Sequence, residues 1–335
     1  MTVKVAINGY GRIGRMVLRA IYEYRLEDKI QVVAINSSHP VSTNVHLTKY
    51  DTTHGRFTAA EVRGNDSTMF INGQPIQMLA DRNPENLPWG DYDVDVVLEC
   101  TGHFRDHEGA SKHFVGGAKK VLISAPGDES LDKTVVFGVN DEDLTADDKI
   151  VSCASCTTNC LAPLAKVLHR SVGIEKGLMT TIHAYTNDQK LIDNQHKDLL
   201  RARSAAQSII PTKSGAAKAV GIVLPELAGK LNGFAMRVPT ANVSVVDLVF
   251  DASRDTSSEE INEIVKNGAD DHVLYYNEEP LVSSDFNHHP GSSIFDASQT
   301  RVYGDLVKVL SWYDNEWGFS CRMIDLALKM GKLKD

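Results

Sequence analysis

The chain has little of what a secreted or membrane-embedded protein needs. Only five cysteines occur in 335 residues, and three of them, Cys153, Cys156 and Cys160, are bunched together. Such a cluster does not lay out a disulfide framework; it points to a reducing compartment and so to the cytoplasm. No apolar run approaches the ~20 residues of a membrane span. Lys4, Arg12, Arg15 and a glycine-rich turn stand where the apolar core of a secretory signal would lie. Positive charge is also short: 35 Lys and Arg against 44 Asp and Glu leave −9, which opposes dedicated nucleic-acid binding despite the local basic run at Arg201 to Arg203. Repeats, low-complexity tracts and flexible linkers are missing too. What remains is an ordinary globular composition, long enough for two domains with real cores.

The first strong pattern lies at the start. Val3, Val5 and Ile7 read as a short strand, followed at once by Gly9-Tyr10-Gly11-Arg12-Ile13-Gly14. Ile13, Val17, Ala20, Ile21 and Tyr24 then recur at helical spacing, and Gln31 to Ile35 completes a βαβ unit. The glycine motif alone is weak. Between a strand and a helix it becomes a dinucleotide fingerprint, because its glycines allow a tight turn and close approach of a pyrophosphate to backbone N–H groups.

The second pattern is Ser152-Cys153-Ala154-Ser155-Cys156-Thr157-Thr158-Asn159-Cys160, between a strand-like Ile150-Val151 and a helical run Leu161, Leu164, Ala165, Leu168. This places Cys156 near a helix N-terminus, where unpaired N–H groups and the macrodipole favour a thiolate. A base supplied from elsewhere would complete a nucleophile. His183, after the strand-like Leu178–Ile182, is one candidate; from the residues alone His46 and His54 rank with it. Zinc is not expected, since Cys100 and Cys321 are isolated. Cys160 reads as a buried small hydrophobe, and Pro163 should kink the helix after Cys156.

Further apolar runs at Val94–Leu98, Lys120–Ile123 and Val135–Val139, separated by helix-compatible or turn-rich segments such as Asp106 to Val115, predict a mostly parallel, doubly wound sheet up to about residue 152. Thr68–Ile71 and Pro75–Leu79 flank Asn72-Gly73 and predict an inserted hairpin. Beyond Ser152, long alternating runs at Asn242–Phe250 and Val302–Trp312 predict a largely antiparallel sheet. Phe319, Met323, Leu326, Met330 and Leu333 share one helix face. The fold class is therefore α/β: a Rossmann-type parallel sheet plus an α+β catalytic domain with a largely antiparallel sheet.

Three motifs in order, Asn8-Gly9-Tyr10-Gly11-Arg12-Ile13-Gly14-Arg15, Ala154-Ser155-Cys156-Thr157-Thr158-Asn159-Cys160 and Trp312-Tyr313-Asp314-Asn315-Glu316-Trp317-Gly318, resemble the phosphorylating glyceraldehyde-3-phosphate dehydrogenase family over the whole chain. The resemblance implies a dinucleotide-binding domain of residues 1–152 with 318–335 and a catalytic domain of residues 153–317. It makes Cys156 the nucleophile and His183 its base. Gly9, Gly11, Arg12, Ile13, Gly14, Ser37, Arg82, Ser124 and Asn315 become the cofactor-binding set. Thr186, Asp188 and Arg237 map to the site for the substrate's C3 phosphate, and Ser155, Ser214 and Gly215 to that for attacking inorganic phosphate. It further implies a homotetramer acting on a small aldehyde phosphate, with no membrane partner.

The chain departs from the family at several positions, among them Ser214, where threonine is common and the hydroxyl donor is kept. Cys153 stands where asparagine is usual. Asp188 puts a carboxylate, often replaced by threonine, beside a phosphate. Ser37 occupies the acidic position that binds the adenosine ribose; with the proline-free loop Asp193-Asn194-Gln195-His196, it predicts that NADP is used as well as, or in preference to, NAD. Met1–Ile7 and Asp285–Pro290 are similar to the erythrose-4-phosphate dehydrogenase branch, whereas Ser214-Gly215-Ala216-Ala217-Lys218 is similar to the phosphorolytic one. A nucleotide- or RNA-binding protein without turnover is the reading from another class.

Overall fold

A computed structural model describes residues 2–333. The described residues divide into two compact units: 2–137, 141–154 and 320–333 form the first, and 138–140 with 155–319 the second.

The first unit is built on a nine-stranded sheet in the order Lys133–Thr134, Ile150–Ser152, Lys120–Ile123, Val96–Glu99, Val3–Asn8, Ile30–Asn36, Gln74–Leu79, Thr68–Ile71, Val62–Gly64. Pairing is parallel from Lys133–Thr134 as far as Gln74–Leu79 and antiparallel for the last two strands. The central strands are buried throughout, as the continuous apolar runs of a parallel sheet covered on both faces require. The inserted hairpin turns at Asn72 and Gly73, both at positive φ, with Ile71 opposite Gln74. The helix Arg12–Glu23 buries Val17, Ala20 and Ile21 as its periodicity predicts, but Tyr24 is its C-cap and is 42% exposed. The run at Val135–Val139 is not a strand: pairing stops after Thr134 and the chain turns over 137–140, with Gly138 at φ +79°.

Residues 320–332 belong to this unit as part of the helix Trp317–Lys332. Met323, Leu326 and Met330 are fully buried. Lys120 Nζ caps the helix end by donating to the Met330 and Leu333 carbonyls, and Lys329 pairs with Asp141.

The second unit holds an eight-stranded sheet with main order Ile210–Lys213, Leu231–Val238, Lys176–Ala184, Ser244–Asp251, Leu306–Tyr313, Ser293–Asp296, Leu274–Asn277. Its pairs are antiparallel except for two, so the sheet is mixed and mostly antiparallel. One expected strand is in fact two. The run Val302–Trp312 folds as a hairpin of Arg301–Tyr303 on Leu306–Tyr313, because Gly304 at φ +63° reverses the chain. The helix Cys156–Val172 runs through Pro163. No helix among the described residues is long and apolar enough to cross a membrane.

Candidate active site

Four elements of the second unit converge on Cys156. Ser155 caps the helix: its Oγ accepts from the Thr158 N–H at 3.0 Å, so Cys156 is the first helical residue. The residue before the cap, Ala154, sits at φ +57°, a left-handed conformation rare for a side chain and typical of functional turns. His183 lies inside the strand Lys176–Ala184 rather than after it, and its Nε2 is 3.5 Å from Cys156 Sγ. Parallel register sets Arg237 opposite His183. Tyr313, from the strand Leu306–Tyr313, packs edge-on against the imidazole with ring centroids 6.0 Å apart.

His183 Nδ1 lies 2.6 Å from the Ala184 carbonyl; in the tautomer that donates to this oxygen Nε2 presents its lone pair to the thiol, whereas the tautomer that accepts from Arg237 puts hydrogen on Nε2. Arg237 Nη1 donates to the same carbonyl at 3.0 Å and lies 2.8 Å from Nδ1. Burial first, then the Arg237 charge, push the imidazole down to about 3. Burial pushes the Cys156 thiol up, against the pull of Arg237 and of the Thr157 N–H and hydroxyl. The sulfur becomes nucleophilic as Nε2 takes its proton. Cys160 is buried against Ser293 and Ser311 with its thiol pushed up to about 12, which makes it inert.

Residues that sequence reasoning did not assign support this centre. Tyr313 Oη joins Thr157 and Thr181 hydroxyls at 2.9 and 2.7 Å. Ser244 Oγ accepts from the Ala184 N–H at 3.0 Å and must therefore donate its own proton to Asn315 Oδ1 at 2.8 Å. Arg201, read only as part of a basic run, bonds Asp188 at 2.6 Å and Thr212 Oγ1 at 2.8 Å. It pairs the carboxylate whose place beside a phosphate was unexplained, and it reaches the strand that leads to Ser214 and Gly215. Thr186 begins the turn that carries Asp188, and Gly215 caps the helix Ala216–Val223 without a side-chain cap.

The remaining cofactor candidates lie in the first unit. Gly9 is at φ +94°, and a Cβ there would meet the Cys100–Thr101 backbone at 2.7–2.9 Å; one on Gly14 would strike the Gly9 carbonyl at 2.4 Å. A Cβ on Gly11 would meet nothing within 4 Å. That is the pattern of a fingerprint turn: two glycines close the turn and the third leaves an open approach. No side chain caps the helix that follows and no acid lies in its first turn, so Ile13 and its neighbours present N–H groups to an anion. Arg12 makes a bidentate pair with Asp51. Ser37 follows the second strand directly but is buried, and its hydroxyl donates to Asn44 at 3.2 Å. Ser124 N–H donates to the Glu99 carbonyl, whereas Arg82 is exposed. His46 and His54, the other histidines weighed as bases, also belong to this unit.

Comparison with known families decides the class. Residues 3–107 match the glyceraldehyde 3-phosphate dehydrogenase NAD binding domain, and residues 155–315 match the C-terminal domain of the same enzyme. The chain belongs to the glyceraldehyde-3-phosphate dehydrogenase family. Relatives of that name are similar over almost their whole length: the chromosomal enzyme of Cupriavidus necator is 60% identical over 333 residues, covering 98% of this chain and 99% of that protein. The enzyme of Pseudomonas aeruginosa is 57% identical and covers both chains fully, and glyceraldehyde-3-phosphate dehydrogenase 2 of Bacillus subtilis is 55% identical over 97% of this chain and 96% of its own. Against this dehydrogenase background, Cys156 and His183 stand together in the C-terminal domain and the glycine turn in the NAD binding domain.

Proposed function

We propose that the chain catalyses the reversible, phosphorylating oxidation of D-glyceraldehyde 3-phosphate to 1,3-bisphosphoglycerate through a thioester on Cys156. The observation that carries this reading is the Cys156–His183 pair at a helix N-terminus, Nε2 facing Sγ at 3.5 Å. As Sγ adds to the aldehyde carbon, its proton passes to Nε2 and the carbonyl electrons move onto oxygen. Backbone N–H groups of the first helical turn and the imidazolium face that oxyanion. The imidazolium protonates it, giving a thiohemiacetal, and takes the same proton back as the carbon is oxidised to a thioester. A bound nicotinamide cofactor supplies the acceptor for the hydride that leaves this carbon. An oxygen of inorganic phosphate then attacks the thioester, the C–S bond breaks, and the departing sulfur recovers its proton from His183.

Thr186, Asp188 and Arg237 take the C3 phosphate; Ser155, Ser214 and Gly215 take the attacking phosphate. Arg201, bonded to Asp188 and Thr212, supports both sets. Gly9, Gly11, Arg12, Ile13 and Gly14 hold the cofactor's pyrophosphate, Arg82 and Ser124 contribute further contacts, and Asn315 orients the nicotinamide carboxamide. At Ser37 the missing carboxylate removes repulsion toward a 2′-phosphate, and the helix Val41–Lys49 carries no acid in its first turn. Both NADP and NAD are therefore assigned as cofactors. Leu178, Leu191, Leu199, Ile209 and Phe234 leave 46–82% of their surface exposed on the catalytic unit, which supports association with further copies of the chain, and the family resemblance makes that assembly a homotetramer in the cytoplasm. Sedimentation at the mass of one chain would refute the assembly.

The decisive assay follows cofactor reduction with the aldehyde and inorganic phosphate. Cys156→Ser should abolish it while leaving the dissociation constant for the cofactor unchanged, since a hydroxyl is a far poorer nucleophile. Substantial turnover by that variant would end the thioester reading.

A further inference from the structure

A buried glutamate side chain in the first unit gathers donors on both of its oxygens. Glu99 is the last residue of the strand Val96–Glu99 and its side chain is fully buried. Oε2 receives Asn8 Nδ2 at 2.5 Å and His113 Nε2 at 3.1 Å; Oε1 receives the Thr101 N–H at 2.7 Å and the Thr101 hydroxyl.

None of these directions is free to reverse. The Asp81 N–H donates to Asn36 Oδ1 and the Asp81 carbonyl accepts from Asn36 Nδ2, which fixes the Asn36 amide. Asn36 Nδ2 also donates to Asn8 Oδ1 at 2.7 Å, so Asn8 must turn its own NH2 toward Glu99. On the other side the Trp89 indole, a donor only, gives its proton to His113 Nδ1 at 3.0 Å, so His113 carries hydrogen on Nε2. Two one-way chains thus end on one acceptor.

The positions give this network a task. Asn8, Asn36 and Glu99 sit side by side at the carboxyl ends of three adjacent strands, where open α/β sheets bind their ligands. Gly9, Ser37 and Arg82 each follow a member of the network directly in sequence, and the Cys100–Thr101 backbone held by Glu99 is the wall against which Gly9 packs.

We propose that Glu99 is a positioning residue for the dinucleotide: as the common acceptor it locks the strand ends that aim the glycine turn, the ribose-binding corner and the Arg82 loop at one ligand. This rests on the cofactor reading above. Glutamine in its place has one oxygen and one NH2, so an NH2 must face either Asn8 and His113 or the Thr101 N–H, and one strand end loosens.

The test is calorimetric titration of Glu99→Gln with NAD and with NADP, below the variant's melting temperature, together with steady-state kinetics. The expected result is a rise of roughly tenfold or more in both dissociation constants and in KM for the cofactor, with kcat at saturation within about twofold and KM for the aldehyde unchanged. The rate of Cys156 alkylation without cofactor should not move. Trp89→Phe, which frees the His113 tautomer, should give a smaller rise in the same direction and serves if Glu99→Gln does not fold. Unchanged dissociation constants in the folded variants, or a loss confined to kcat, would overturn the proposal. Failure of the wild type to bind either dinucleotide would instead overturn the cofactor reading.

Discussion

Replacing His183 with asparagine isolates the proton acceptor of the proposed reaction. Among the described residues Nε2 is the base at hydrogen-bonding distance of Cys156 Sγ; the Thr157 N–H and hydroxyl that also reach the sulfur are donors. Burial holds the thiol above its ordinary range, so without an acceptor the thiolate forms only by losing its proton to water at higher pH. Loss of a positioned base costs on the order of 10²–10⁴-fold in kcat, or about 3–5 kcal/mol in the barrier. Arg237 keeps its donor interaction with the Ala184 carbonyl, so KM for the aldehyde phosphate should change less than kcat. The clean assay is the iodoacetamide rate at Cys156 as a function of pH. In His183→Asn the rate at neutral pH should fall and the whole curve should move toward alkaline pH, with Cys100, whose thiol burial has pushed up to about 12, still unreactive. If the curve of the variant overlays that of the wild type, His183 is not the partner of Cys156 and the proposed proton path is wrong.

Ser37→Asp should swing preference from NADP toward NAD by about ten- to a hundredfold in the ratio of kcat/KM values, because a carboxylate repels a 2′-phosphate and accepts ribose hydroxyls; an unchanged ratio would place discrimination elsewhere, for instance at Gln195. Asp51→Asn tests a structural pair. Burial raises this carboxyl but is outweighed by the hydrogen bonds of Arg12 and of the His54 N–H, which bring it from 3.8 down to about 2. A depressed pKa stabilises the fold above the unfolded value and loses that contribution as pH falls from about 4 through 2. The variant should therefore unfold about 2 kcal/mol more easily near neutral pH, and its urea midpoint should depend less on pH between 4 and 2 than that of the wild type; identical pH profiles would show that the pair is not coupled to folding.

The elements that the chain reveals by local spacing are those formed by neighbours in sequence. The Val3–Asn8 strand, the glycine turn and the helix after it need only a few consecutive residues, and so does the Asn72-Gly73 hairpin. Where a turn residue sits inside an unbroken apolar alternation, the pattern misleads: Val302–Trp312 keeps its alternation through Gly304, and only pairing reveals two strands. Proton directions are still less visible. The pairing of Arg201 with Asp188 closes a loop, and the meeting of His183 with Arg237 depends on the register of strands remote in sequence.

By itself, then, the sequence determined the α/β class, the glycine turn, the helix carrying Cys156 and the family to which the motifs point, because short-range sterics and hydrophobic periodicity decide each of them. Tertiary structure alone decided that His183 among the histidines faces Sγ, that Arg201 pairs with Asp188, and that burial pushes the Cys156 thiol up against the pull of Arg237. Desolvation and the field of a charge belong to the packed molecule; they depend on which surfaces meet, and no spacing along one chain segment carries that information.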